Sequence, residues 1–133
     1  MTKPIYAPLE ADEQIALFQW AGMQEARHPE LRLLFHAANG GRRNKAEAAR
    51  LKAQGVKAGV PDILLDVARG GYHGLRIELK RDDGKSNPTA EQQRWLDNLA
   101  EQGYMAMVCH GWWEAASVIV GYLDGRACGE EEN

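Results

Sequence analysis

Three residues in the middle of the chain have the types and the spacing to do chemistry together. They are Asp62, in Gly59-Val60-Pro61-Asp62, and Glu78 and Lys80, in Ile77-Glu78-Leu79-Lys80. Between them, apolar runs flank Gly70-Gly71, which reads as two strands joined by a glycine turn. Side chains alternate along a strand, so Glu78 and Lys80 share one face while Ile77 and Leu79 point to the other. A hairpin folding about Gly70-Gly71 puts Asp62 opposite Glu78 or within one pair of it. Cross-strand neighbours on one face lie only ~4.5–5.5 Å apart at Cβ. Two carboxylates that close repel, and one must take up a proton unless a counter-charge is present. A hard divalent cation such as Mg²⁺ resolves the conflict, because it takes one or two carboxylates together with water and phosphate oxygens. The lysine would then orient an attacking water or neutralise a phosphate. Pro61 fixes its own φ and holds Val60 extended, so Asp62 enters its strand at a set angle. Either fragment alone is an ordinary turn or an exposed strand face. Together, at hairpin spacing, they favour the chemical reading.

Asp62 followed by Glu78-Leu79-Lys80 resembles the PD-(D/E)XK nuclease signature. The surroundings resemble its VRR-NUC branch, whose small stand-alone members occur in phages and prophages. The likeness takes in an acidic helix around Glu10 to Trp20, Asn39-Gly40-Gly41, and Thr89-Ala90-Glu91-Gln92, and covers nearly the whole chain. It implies an α/β fold with a restriction-endonuclease-like core. Mg²⁺, with Mn²⁺ as a substitute, would be held by Asp62, Glu78, Glu10 and the backbone carbonyl of Leu79. Asp62, Glu78, Lys80 and Gln92 would form the catalytic set. The implied activity is that of a structure-selective DNA endonuclease, Holliday-junction resolvase-like, acting on branched DNA. One small domain with one site must pair to cut two strands symmetrically, so a homodimer is expected. Two other readings stand beside it: nicking of other structured or foreign DNA, and a DNA-binding module whose acids are structural.

The elements that must position these residues can be read in order. Residues 1–8, with Pro4 and Pro8, form an extended arm, and residues 9–125 the nuclease-like domain. From about Leu9 to Ala26 the pattern is helical, with Ile15, Phe18 and Gly22 in one series and Leu17, Trp20, Ala21 and Gln24 alongside. Glu10, Asp12 and Glu13 suit the positive end of that helix dipole. One of them reaches the metal in the functional reading. Glu10 shares a face with Gln14, and the resemblance, which implies a glutamate four residues before a glutamine on this helix, makes it preferred, with Glu13 close behind. Leu31 to His36 reads as a strand, and residues 39–57 as a glycine turn plus a basic helix that Asn44 and Glu47 can cap. After the hairpin, Thr89 caps a helix running to about Gln102, and Tyr104 to Cys109 form a further strand. Such a strand–helix–strand unit should be a right-handed parallel crossover. A last helix, about Trp112 to Leu123, carries Trp113, Ala116, Val120 and Leu123 towards the sheet. The fold class is therefore α/β, a mixed sheet of three or four strands flanked by helices. Residues 126–133 read as an acidic, disordered tail.

A chain of 133 residues is one domain by length. No apolar run approaches ~18 residues and Met1-Thr2-Lys3-Pro4 opens no signal peptide, so a cytoplasmic location is expected, in a bacterium or a phage-infected host. The net charge of −3 argues mildly against a nucleic-acid partner, but its distribution matters more. Arg42, Arg43, Lys45, Arg50, Lys52 and Lys57 face a single acid, Glu47, in one stretch. With Asn39 and Gly40 before it, this basic stripe is the candidate DNA-backbone contact. Cys109 and Cys128 show no metal-binding spacing, and the four histidines none either, which argues against a zinc site. No nucleophile elbow and no Walker loop is present, which argues against a serine hydrolase and a nucleotide hydrolase.

Overall fold

The computed structural model describes residues 9–38 and 44–125. Five elements precede the turn of the hairpin or form its first half: helix α1 (Glu10–Gln24), a 3-10 turn (Pro29–Leu33), strand β1 (Leu34–His36), helix α2 (Lys45–Ala53) and strand β2 (Ile63–Leu65). Then come β3 (Leu75–Lys80), α3 (Ala90–Glu101), β4 (Met105–His110) and α4 (Gly111–Leu123). The sheet order is β1-β2-β3-β4. The fold is α/β, a mixed four-stranded sheet with four helices among the described residues.

The hairpin register pairs Ile63 with Ile77, Leu64 with Arg76 and Leu65 with Leu75, antiparallel. Continued by one residue, this register brings Asp62 to Glu78. On the other side β4 runs parallel to β3, with Glu78 beside Val108 and Lys80 beside His110. The parallel pairing follows from the intervening α3, because a crossover of that length returns the chain in the same direction. Alternation along the hairpin sends Leu75, Ile77 and Leu79 into one buried cluster with Ile63 and Leu65 of β2. Leu17, Trp20 and Ala21 of α1 and Ala115, Ala116 and Ile119 of α4 join it, among others. Each such buried aliphatic side chain contributes about 1.5–3 kcal/mol. This apolar face anchors the strand whose other face carries Glu78 and Lys80.

Three local expectations are corrected. The apolar run from Leu31 to His36 is only half a strand, because Pro29 starts a 3-10 turn in which the Leu31 N–H reaches the His28 carbonyl. On α1 the buried face is Glu13, Leu17, Trp20 and Ala21, while Ile15 is 56% exposed. On α4 Ala116 and Leu123 are buried as expected, together with Ala115, Ile119 and Tyr122, whereas Trp113 and Val120 are only partly covered. Both helices carry apolar residues around much of their circumference, so the period alone left the inward face open. The arm at 1–8, Asn39, Gly40, Arg42 and Arg43, and the tail at 126–133 lie outside the described residues.

Candidate active site

Three chain segments meet at the carboxyl end of β3. Asp62 sits at the mouth of β2, held there by the loop before it. Gly59 has φ +87° and lies so close to α3 that a Cβ would come 2.9 Å from Glu91 Cγ and 3.1 Å from Trp95 Cδ1. The Trp95 indole N–H also donates to the Ala58 carbonyl at 3.0 Å. Only glycine adopts that backbone in that space, so the loop is fixed against α3 and Pro61-Asp62 follows at a set height. The Asp62 carbonyl accepts from the Ala37 N–H at 2.9 Å and lies 3.0 Å from His36 Nδ1. Its carboxylate oxygen Oδ2 accepts from the Leu79 N–H at 3.0 Å. The Leu79 side chain itself belongs to the core.

Glu78 faces Asp62 and is 1% exposed. Neither of its carboxylate oxygens has a hydrogen-bond partner among the described residues. Lys80 Nζ is 3.9 Å from Oε2, close enough to attract and too far to bond. Burial, and after it the adjoining Asp62, push the Glu78 carboxyl up to about 9. Glu10, at the start of α1, completes the group: Glu10, Asp62 and Glu78 each offer an oxygen within 4.8 Å of the others. Burial raises the Glu10 carboxyl as well, an effect that Lys80 opposes. A buried carboxylate without donors costs several kcal/mol if ionised, unless a cation neutralises it. An oxygen-only set of this size is the donor set that Mg²⁺ or Mn²⁺ prefers. The residues therefore fit such an ion.

Lys80, 8% exposed, is aimed by α3. Its ammonium donates to Gln92 Oε1 at 3.0 Å, and the same oxygen accepts the Thr89 N–H at 2.9 Å. Thr89 Oγ1 in turn accepts the Gln92 N–H, so Gln92 closes the capping box of α3 and holds the lysine with one atom. Two donors on that oxygen also settle which end of the amide faces Lys80.

The model of the VRR-NUC domain family matches residues 9–113. The chain belongs to the VRR-NUC family. A solved structure described as a VRR-NUC domain protein superposes with a TM-score of 0.78 at 36% sequence identity, covering 92% of this chain and 93% of that one. No curated protein matches the sequence. VRR-NUC domains are nuclease domains acting on DNA, so the chain is a nuclease with DNA as its substrate.

Around this VRR-NUC site the remaining candidates fall into place unevenly. Glu13, the rival of Glu10, is turned away from the triad and buried, bonded to two backbone N–H groups. Its position one turn from Glu10 gave no sequence signal of this role. Lys45, Arg50 and Lys52 lie on α2, none of whose residues is buried, and Lys57 follows in the loop leading to Gly59. Asn44 caps α2 by accepting the Glu47 N–H at 2.8 Å. The structure brings Glu10, Asp62, Glu78, Lys80 and Gln92 together and leaves the α2 cations outside that group. His36 and Trp95, which hold the Asp62 loop, carry no motif that marks them in the sequence. Among the described residues no helix is long and apolar enough to cross a membrane.

Proposed function

We propose that this VRR-NUC domain is a metal-dependent, structure-selective DNA endonuclease of the PD-(D/E)XK superfamily, a phage-type enzyme that resolves branched DNA as a homodimer. The observation that carries the metal dependence is Glu78, whose buried oxygens lack donors and face two further carboxylates. Glu10, Asp62 and Glu78, with the Leu79 carbonyl, would hold one or two Mg²⁺ ions, Mn²⁺ serving in their place. When bound, the metal supplies charge neutralisation at the scissile phosphate and the leaving oxygen.

The rest is the work of this chain's own groups. Lys80, steered by Gln92, points its ammonium at the growing negative charge of the phosphate or at the attacking water. The Leu79 N–H holds one Asp62 oxygen and so fixes the orientation of a carboxylate that stands with Glu10 and Glu78. Water would be the nucleophile, no protein nucleophile being needed, and by analogy with the superfamily the products would carry 5′-phosphate and 3′-hydroxyl ends. The exposed cations of α2, with Lys57 and with Arg42 and Arg43 after Asn39-Gly40, would track the DNA backbone.

The test is cleavage of labelled four-way junction, flap, splayed-arm and linear duplex DNA with Mg²⁺, Mn²⁺ or EDTA, comparing wild type with Lys80→Ala. Paired metal-dependent cuts in the junction, abolished in the variant, are expected. Cutting of flaps or linear duplex in preference would overturn the junction assignment and keep the chemistry. Binding without any cutting would leave a non-catalytic DNA-binding module.

A further inference from the structure

Glu13 is a buried acid that the chemistry above does not use. It is 1% exposed and lies three residues after Glu10 on α1. Oε2 accepts the Asp82 N–H at 3.0 Å, two residues beyond Lys80, and Oε1 accepts the Trp112 N–H at 3.1 Å, in the first turn of α4. His110, the N-cap of α4, gives that helix no side-chain cap, so Glu13 supplies one from another helix. Gly111 has φ +85°, and a Cβ there would stand 2.9 Å from Asp82 Cβ and 3.1 Å from Glu13 Oε2. Two chain segments, at Asp82 and at Gly111-Trp112, therefore close around this carboxylate.

The start of α1 has little else to fix it. Leu9, its N-cap, is 62% exposed and makes no side-chain cap bond, and the first buried apolar residue of the helix is Leu17. Glu10 is exposed, yet it must stand opposite Glu78, on a different element, for the three acids to share an ion. We infer that Glu13 is a positioning residue: by bonding the chain just past Lys80 and the start of α4, it sets the first turn of α1 so that Glu10 meets Asp62 and Glu78. This rests on the proposed metal site.

Calorimetric titration with Mn²⁺ at fixed pH, in the absence of DNA, tests it through a double-mutant cycle. Glu10→Gln and Glu13→Gln should each weaken Mn²⁺ binding, the latter by about tenfold, as loss of a group that orients a ligand does. If Glu13 acts through Glu10, Glu13→Gln costs nothing further in a Glu10→Gln background. A general electrostatic or folding effect would instead persist there at full size. Glu13→Asp keeps the charge and shortens the reach; it should weaken binding less, again only when Glu10 is present, and it carries the comparison should Glu13→Gln melt below the assay temperature. Wild-type affinity in both Glu13 variants, or equal losses in both backgrounds, overturns the inference. Failure of wild type to bind Mn²⁺ sinks the metal site itself, a separate outcome.

Discussion

With divalent metal chelated, this protein should become less stable as the pH rises from 5 to 7, and Glu78 is the reason. Its carboxyl is raised from 4.5 to about 9 by burial and by Asp62. In the folded, metal-free chain Glu78 keeps a proton that the unfolded chain releases. The native state then binds more protons than the unfolded one, so stability is full below the unfolded value and is lost as the pH climbs towards the folded value. Counted alone, Glu78 would cost roughly 3 kcal/mol between pH 5 and 7. Solvent screening at a site whose rim carries exposed Glu10 lowers the effect to about 1–2 kcal/mol. Glu10, also raised, acts in the same direction. Partly exposed Glu30 and Asp83, whose carboxyls are lowered, act weakly in the other. Thermal melts in EDTA should therefore fall by about 3–8 °C over this interval. Glu78→Gln, neutral and of the same shape, should flatten the slope and melt above wild type at pH 7. Saturating Mg²⁺ should restore wild type most at the higher pH, because the ion displaces the proton. A metal-free wild type with the same melting temperature at pH 5 and 7, or a Glu78→Gln slope equal to that of wild type, would refute the reasoning.

Three further outcomes are expected. Lys80→Ala should lower the single-turnover cleavage rate by about 10²–10³-fold while gel-shift affinity for the same DNA stays near that of wild type. Gln92→Ala, which removes both half of the capping box and the anchor of Lys80, should cost about 1 kcal/mol in urea unfolding and lower the cleavage rate without raising KM. Replacing Lys45, Arg50 and Lys52 by alanine should reduce the slope of log K against log salt by about 0.9 for each phosphate that these cations neutralise in the wild type; an unchanged slope would remove α2 from the DNA path.

Local chemistry made much of this protein legible before folding. The hairpin and its register follow from two apolar runs about Gly70-Gly71, because a slip of one residue would turn Ile77 and Leu79 to the polar face. The α3 capping box is written in Thr89 and Gln92, and the parallel return of β4 in the helix that precedes it. Asp62, Glu78 and Lys80 stand out because their types and spacing only make sense as a set. Other features required the folded chain. That Glu10 reaches the triad while Glu13 is buried between Asp82 and Trp112 depends on how α1 rolls against α4, and Ile15 made the wrong face of α1 look equally apolar. Likewise, the capping Gln92 reaching across to Lys80, and Trp95 holding the Asp62 loop, join residues on different elements. A sequence period fixes which residues share a face. Which face turns inward, and what it meets there, is decided by packing between elements, and that is a property of the tertiary structure alone.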